Sequence, residues 1–141
     1  MARIAIDGVP AGHLARRWGV PRCAVFGRIG SSLDAVHELG AAGAPSGTIV
    51  IAAEQTAGRG RDGRLWQSPP GGVWLGMLLR HAAPAAGVLS LRMGLVVADV
   101  VDELLGADRA RLKWPNDVLV GDRKVAGVLA EARWHGGAPQ W

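Results

Sequence analysis

Cysteine, lysine and long apolar runs are what this 141-residue sequence is short of. Its one cysteine, Cys23, can close no internal disulfide and finds no second thiol for a zinc site, so a reducing compartment and a cytoplasmic location are expected. The longest apolar stretches, such as VWLGMLL at 73–79, fall well below the roughly 20 residues that span a bilayer. The opening MARIAIDGVPAGHLARRW has no continuous apolar core of the signal-peptide kind, which argues against export. No internal repeat or heptad is present, so neither a solenoid nor a coiled coil is expected.

Only Lys113 and Lys124 stand beside fourteen arginines in a chain of net charge +4. Arginine fills the generic cationic positions, so the two places that kept lysine draw attention, and both fall in motifs. Positive charge by itself is compatible with nucleic acid, a phosphate-bearing ligand or a solvated surface, and decides nothing among them.

What is present is the composition of a globular domain, 49% apolar and 20% charged. TIVIAA at 48–53 is a short apolar run between turn signals and reads as a buried strand; GGVWLGMLLR at 71–80 reads as a second. SSLDAVHELGAAG at 31–43 predicts the first secure helix, with Ser31 as N-cap and Asp34 three residues on as an acidic variant of the capping box. From 90 to 105, Leu91, Leu95, Val96, Ala98, Val101, Leu104 and Leu105 recur at helical spacing before Gly106, predicting an amphipathic helix. Beyond it, ARLKW, the break at Pro115, the GD pair at 121–122 and the Gly-Gly at 136–137 predict strands joined by turns. The expected fold class is α+β, helices packed on a mixed, largely antiparallel sheet.

Between the two first strands lies GRGRDGR. Glycines admit a ligand close to the main chain, and successive free N–H groups form an anion-binding concavity. Arg59, Arg61 and Arg64 add guanidinium forks that match carboxylate and phosphate oxygens. The segment is neither a Walker loop, lacking GxxxxGK[ST], nor a dinucleotide fingerprint, lacking the strand-to-helix context. An anionic small ligand and a basic tip that contacts RNA without sequence preference both remain open, and a loop so rich in glycine and like charge is expected to be mobile until an anion orders it.

KWPNDV at 113–118 places a lysine, an asparagine and an aspartate around a proline turn, one cation beside one hard-oxygen ligand, and DRKVAG at 122–127 follows closely. Phosphate with magnesium would use both. Seen singly, Asp117 would be an ordinary turn residue and Lys113 a strand residue reaching for solvent.

EQTAGRGRDGRLW, KWPNDV and RKVAGVLAE, in this order and at this separation, resemble the catalytic domain of the biotin protein ligases over residues 26–134. The resemblance implies a fold of the class II aminoacyl-tRNA synthetase and biotin ligase type, with residues 1–25 a short N-terminal segment and 26–141 part of the catalytic domain. It implies biotin and ATP as substrates, magnesium as cofactor, and a lysine of a biotin carboxyl carrier protein as acceptor. Ser31, Ser32, Gln55, Gly58, Arg59, Gly60, Arg61, Lys124 and Gly127 are the implied biotin contacts. Arg61, Arg64, Trp66, Lys113, Asn116, Asp117 and Lys124 are implied at the adenylate, with Asp117 on the metal and Arg61 and Lys124 as catalytic groups. A leucine, Leu33, stands where the family's Ser-Thr-Asn motif has its amide. Some relatives carry an N-terminal winged helix-turn-helix, and AGHLARRWGVPR at 11–22 is similar to one of its helices, but the residues before Ser31 are too few for the module, so no nucleic acid is expected. No membrane partner is expected, and the oligomeric state implied is monomer or homodimer. The family continues with a further core strand and a small β domain, so the chain is expected to be a fragment. The rival expectations are a non-catalytic binder of biotin or its adenylate, and a lipoate or octanoate ligase of the same superfamily.

Overall fold

The computed structural model describes residues 5–80 and 86–141, in two compact units. The first comprises residues up to 82 together with 138–141, and the second 83–137. In the first, β1 (Ala5–Ile6) and β2 (Val9–Pro10) form a hairpin turned at Asp7 and Gly8, both at positive φ. Helix α1 (Ala11–Trp18) follows and stops at Gly19, which takes the left-handed conformation and donates its N–H to the carbonyls of Ala15 and Arg16. Then come β3 (Cys23–Phe26), α2 (Ser32–Ala41), β4 (Ile49–Ala52) and β5 (Trp74–Met77). Strand β3 runs parallel to β4, and β5 antiparallel to it.

The apolar run at 48–53 becomes the middle strand because it offers an apolar side chain to both faces. Val50 packs with Val36, Ala44 and Leu78 on the side of α2, while Ile51 packs with Leu14 of α1 and Val25 on the other. Complete burial of a side chain such as Val50 contributes about 1.5–3 kcal/mol. Helix α1 lies within the stretch 11–22 that resembles a helix in the sequence and precedes the first secure helix expected; it is short and holds to the sheet through Leu14, its one buried residue. The domain boundary expected after residue 25 falls inside β3.

Helix α2 starts as its cap predicts: the Ser31 hydroxyl accepts from the Leu33 N–H at 3.2 Å. Asp34 does not complete a capping box, because its carboxylate is turned to Arg59. The helix lies flush on β5 at Gly76, where a Cβ would stand 2.7 Å from Val36 Cγ2 and 2.9 Å from the Ser32 carbonyl oxygen. Gly76→Ala is therefore expected to lift the N-terminal turn of α2 and cost about 1–3 kcal/mol, read as a lower urea midpoint at unchanged slope. Trp141 closes over the far end of α2, its indole N–H donating to His37 Nδ1 at 2.9 Å and its ring lying under the Arg80 guanidinium.

In the second unit, α3 (Ala86–Leu105) ends at Gly106, as predicted, and begins earlier than its periodicity suggests. Strands β6 (Ala110–Lys113), β7 (Asp117–Val120) and β8 (Arg123–Gly127) form an antiparallel sheet with β7 in the middle. Helix α3 meets β6 at Gly94, where a Cβ would fall 2.6 Å from Leu112 Cδ1. Ala98 is buried, whereas Leu95, Val96, Leu104 and Leu105 stay exposed, so the apolar residues read as one face are split between two. The Gly-Gly at 136–137 makes the expected turn after β9 (Trp134–His135), and β10 (Ala138–Pro139), which follows it, is counted with the first unit.

Candidate active site

In the first unit the expected biotin contacts gather at the N-terminus of α2. Ser31 and Ser32 are buried there. Gln55, 23 residues on, reaches the same turn: its Oε1 accepts from the Ser32 N–H at 2.6 Å while its Nε2 donates to Ser68 Oγ at 2.8 Å. Two N–H groups of the first turn, which a helix leaves unsatisfied, are thus taken by Ser31 and Gln55. Main-chain bonds from Thr56 N to Ile29 O and from Ala57 N to Gly30 O strap the following residues to the β3–α2 connection.

The glycine-arginine segment is a narrow ribbon rather than the loosely anchored loop that composition suggests. Trp66 N donates to Gly58 O, and Gly60 N donates to Arg64 O, both at 2.8 Å. The tip is a 3-10 turn, Arg61–Gly63, with Asp62 and Gly63 at positive φ. Gly58 is needed for closeness, not for flexibility: a Cβ there would lie 2.5 Å from the Trp66 carbonyl oxygen and 2.7 Å from Ser68 Oγ. Trp66 stands at the base of the ribbon, half-buried.

The ribbon also separates its arginines. Arg59 lies on one limb with Nη1 2.7 Å from Asp34 Oδ1. Arg64 is exposed and 3.7 Å from Asp62. Arg61 is exposed at the tip and makes no ion pair among the described residues.

In the second unit, Lys113, Asn116, Asp117 and Gly127 collect at one end of the β6–β7–β8 sheet, and the Lys124 side chain reaches Asp117 from its place opposite Leu119. The turn through Trp114 and Pro115, with a cis peptide between them, reverses the chain so that Lys113 and Asp117 are register partners. Asp117 is in turn opposite Gly127, and Asn116 O accepts from Val128 N at 2.9 Å. A bulge between Val118 and Leu119 shifts the register, and Lys124 Nζ comes to 2.6 Å from Asp117 Oδ1.

No group of three or more His, Cys, Asp or Glu side chains capable of holding a metal occurs among the described residues. One carboxylate, Asp117, fits a magnesium ion held chiefly by phosphate oxygens, which needs only one or two protein carboxylates. Cys23 lies on β3 beside Leu14, Val25 and Ile51, where burial pushes its thiol up and keeps it protonated at neutral pH. Two residues that hold the site together have partners far along the chain. Ser68, at the start of the Pro- and Gly-rich turn 68–72, and Asp34, which the sequence offers as a capping residue, meet partners 13 and 25 residues away.

Residues 26–139 match the biotin/lipoate A/B protein ligase family. The chain is 49% identical over 102 residues to the bifunctional ligase/repressor BirA of Escherichia coli, covering 70% of this chain and 30% of that protein. It is 44% identical over 90 residues to a biotin–acetyl-CoA-carboxylase ligase of Paracoccus denitrificans, covering 62% of this chain and 38% of that one. Among solved structures it is similar to a biotin protein ligase of Leishmania major in complex with biotinyl-5-AMP, with a TM-score of 0.71 at 29% identity over 84% of this chain and 54% of that one. The Aquifex aeolicus biotin protein ligase with biotin and ATP gives a TM-score of 0.69 at 30% identity, over 84% of this chain and 49% of that one. The chain thus spans 30–38% of the length of these curated relatives and 49–54% of these solved ones. The α+β fold, with mixed sheets and three α-helices among the described residues, is that of part of the class II synthetase-like biotin ligases.

Proposed function

Because the chain belongs to the biotin/lipoate A/B protein ligase family, we propose that its protein is an ATP-dependent biotin protein ligase. Biotin's carboxylate attacks the α-phosphate of ATP and pyrophosphate leaves. The amine of a carrier-protein lysine then attacks the resulting mixed anhydride, and AMP leaves. A biotin carboxyl carrier protein of acetyl-CoA carboxylase, or of a related carboxylase, is the acceptor this reading requires.

The observation that carries it is the Lys124–Asp117 pair at 2.6 Å, set among the other residues of the KWPNDV and RKVAG motifs. A lysine ammonium at that place is a point charge suited to the oxygens where carboxylate and α-phosphate meet, and it acts by stabilising charge that develops as the bond forms. Lys113 and Asn116 are assigned to the phosphates, and Gly127 offers main chain to biotin. Magnesium, held at Asp117 and by the phosphates, would neutralise phosphate charge. In the first unit, Ser31, Ser32 and Gln55 are assigned to biotin with the main chain of Gly58, Arg59 and Gly60. Arg61 and Arg64 are assigned to the adenylate's charge, Trp66 to its base. The chemistry needs positioning and electrostatics rather than an enzyme nucleophile, in keeping with a Cys23 whose thiol is pushed up by partial burial against the core.

A cytoplasmic site of action is part of the reading, since the acceptor is a metabolic enzyme and the single cysteine suits a reducing compartment. Among the described residues no helix is long and apolar enough to cross a membrane. Biotin and Mg-ATP are expected to give pyrophosphate and biotinyl-adenylate, with octanoate in place of biotin giving little. Turnover with octanoate alone would move the assignment to the lipoate branch, and biotin binding with no pyrophosphate would leave a binder.

A further inference from the structure

The three arginines of the ribbon look equivalent in the sequence and are not equivalent in space. Arg59 Nη1 meets both oxygens of Asp34, Oδ1 at 2.7 Å and Oδ2 at 2.8 Å. Arg64 has Asp62 within 3.7 Å. Two of the three positive charges therefore have a carboxylate beside them, and Arg61 at the tip has none among the described residues. An anion meeting Arg61 displaces no protein carboxylate, whereas one meeting Arg59 must compete with Asp34.

Asp34 is also in the first turn of α2, whose first N–H groups are already capped by Ser31 and Gln55. Its carboxylate reaches outward to the limb of the ribbon that carries Gly58 and Gly60, tying that limb to the same helix end to which Gln55 ties its base. We infer that Asp34 is a positioning residue of the anion site: by holding Arg59 it fixes the ribbon at the N-terminus of α2 and leaves Arg61 as the cation offered to the ligand. The identification of that ligand with biotin and its adenylate rests on the reading above. Arg59 then contributes main chain to the ligand, and its guanidinium serves as a brace.

A helix-capping role alone for Asp34 would be indifferent to the charge at position 59, so charge exchange separates the two. In ligand-free protein, Asp34→Asn is expected to speed hydrogen exchange at the Gly60 and Trp66 amides about threefold, the worth of a half-exposed ion pair. Asp34→Arg and Arg59→Asp should each weaken biotin binding, measured calorimetrically, by about tenfold, and the double variant should return to within about threefold of the parent. If the double variant binds no better than Arg59→Asp, the Arg59 guanidinium meets the ligand itself and the inference is overturned. Unchanged exchange at Gly60 and Trp66 in Asp34→Asn overturns it as well. A parent that binds no biotin would instead remove the biotin reading, while the exchange comparison still decides whether Asp34 holds the ribbon.

Discussion

Lys124→Ala is expected to lower biotin-dependent pyrophosphate release by about 10²–10³-fold, the usual cost of removing one preorganised charge from a developing anion. Stability should hardly change. The Lys124 and Asp117 side chains are 36% and 23% exposed, so their ion pair is screened by solvent and contributes no more than about 1 kcal/mol. A loss of activity this large beside a melting shift of a few degrees would mark Lys124 as acting on the ligand rather than on the fold. The substitution also leaves Asp117 without its near cation, adding repulsion toward incoming phosphate. Lys124→Arg should recover only part of the rate, because a planar fork does not occupy the place of a compact ammonium. Pyrophosphate release at the parent rate in Lys124→Ala would remove the lysine from the mechanism.

The parts of this molecule that were legible in the sequence are those written in local chemistry. TIVIAA announces a strand buried on both faces, Ser31 announces a helix start, Gly106 a helix stop, and the Gly-Gly at 136–137 a hairpin, because each depends on residues within a few positions of one another. The residue identities of the candidate site were legible for a different reason, since three motifs in fixed order resemble a known family. What stayed hidden depends on contacts across long stretches of chain. Gln55 capping a helix that begins at Ser32, Asp34 holding Arg59, and Trp141 donating to His37 have no local signature. The same limit applies to α3, where helical spacing lists the apolar residues but cannot say which of them another strand covers.

It also misled the reading of the glycines, and the correction carries the second large expectation. Glycine in GRGRDGR suggests freedom, yet at Gly58 it permits contact. With a Cβ there, 2.5 Å from the Trp66 carbonyl oxygen and 2.7 Å from Ser68 Oγ, one limb of the ribbon has to move away from the other. The first overlap is with main chain, which cannot rotate aside as a side-chain end can, and Ser68 is itself fixed by Gln55 and by its bond to the Trp66 carbonyl. Relief therefore breaks the Trp66 N to Gly58 O hydrogen bond and pulls on Gln55, which caps α2 through Ser32. Gly58→Ala is expected to cost about 1–3 kcal/mol of stability. Its effect on turnover should be larger, about 10²-fold or more in kcat/KM for biotin, because a displacement near 1 Å in groups that orient a ligand is amplified in the rate. Gly63, at the open tip with nothing within 4 Å of its Cβ position, is the internal control. Replacement by asparagine, which tolerates positive φ, should leave both quantities near the parent. Equal losses at the two glycines would mean that the segment acts by flexibility after all, and a Gly58→Ala enzyme with unchanged kcat/KM would show that the ribbon is free to open without consequence for the ligand.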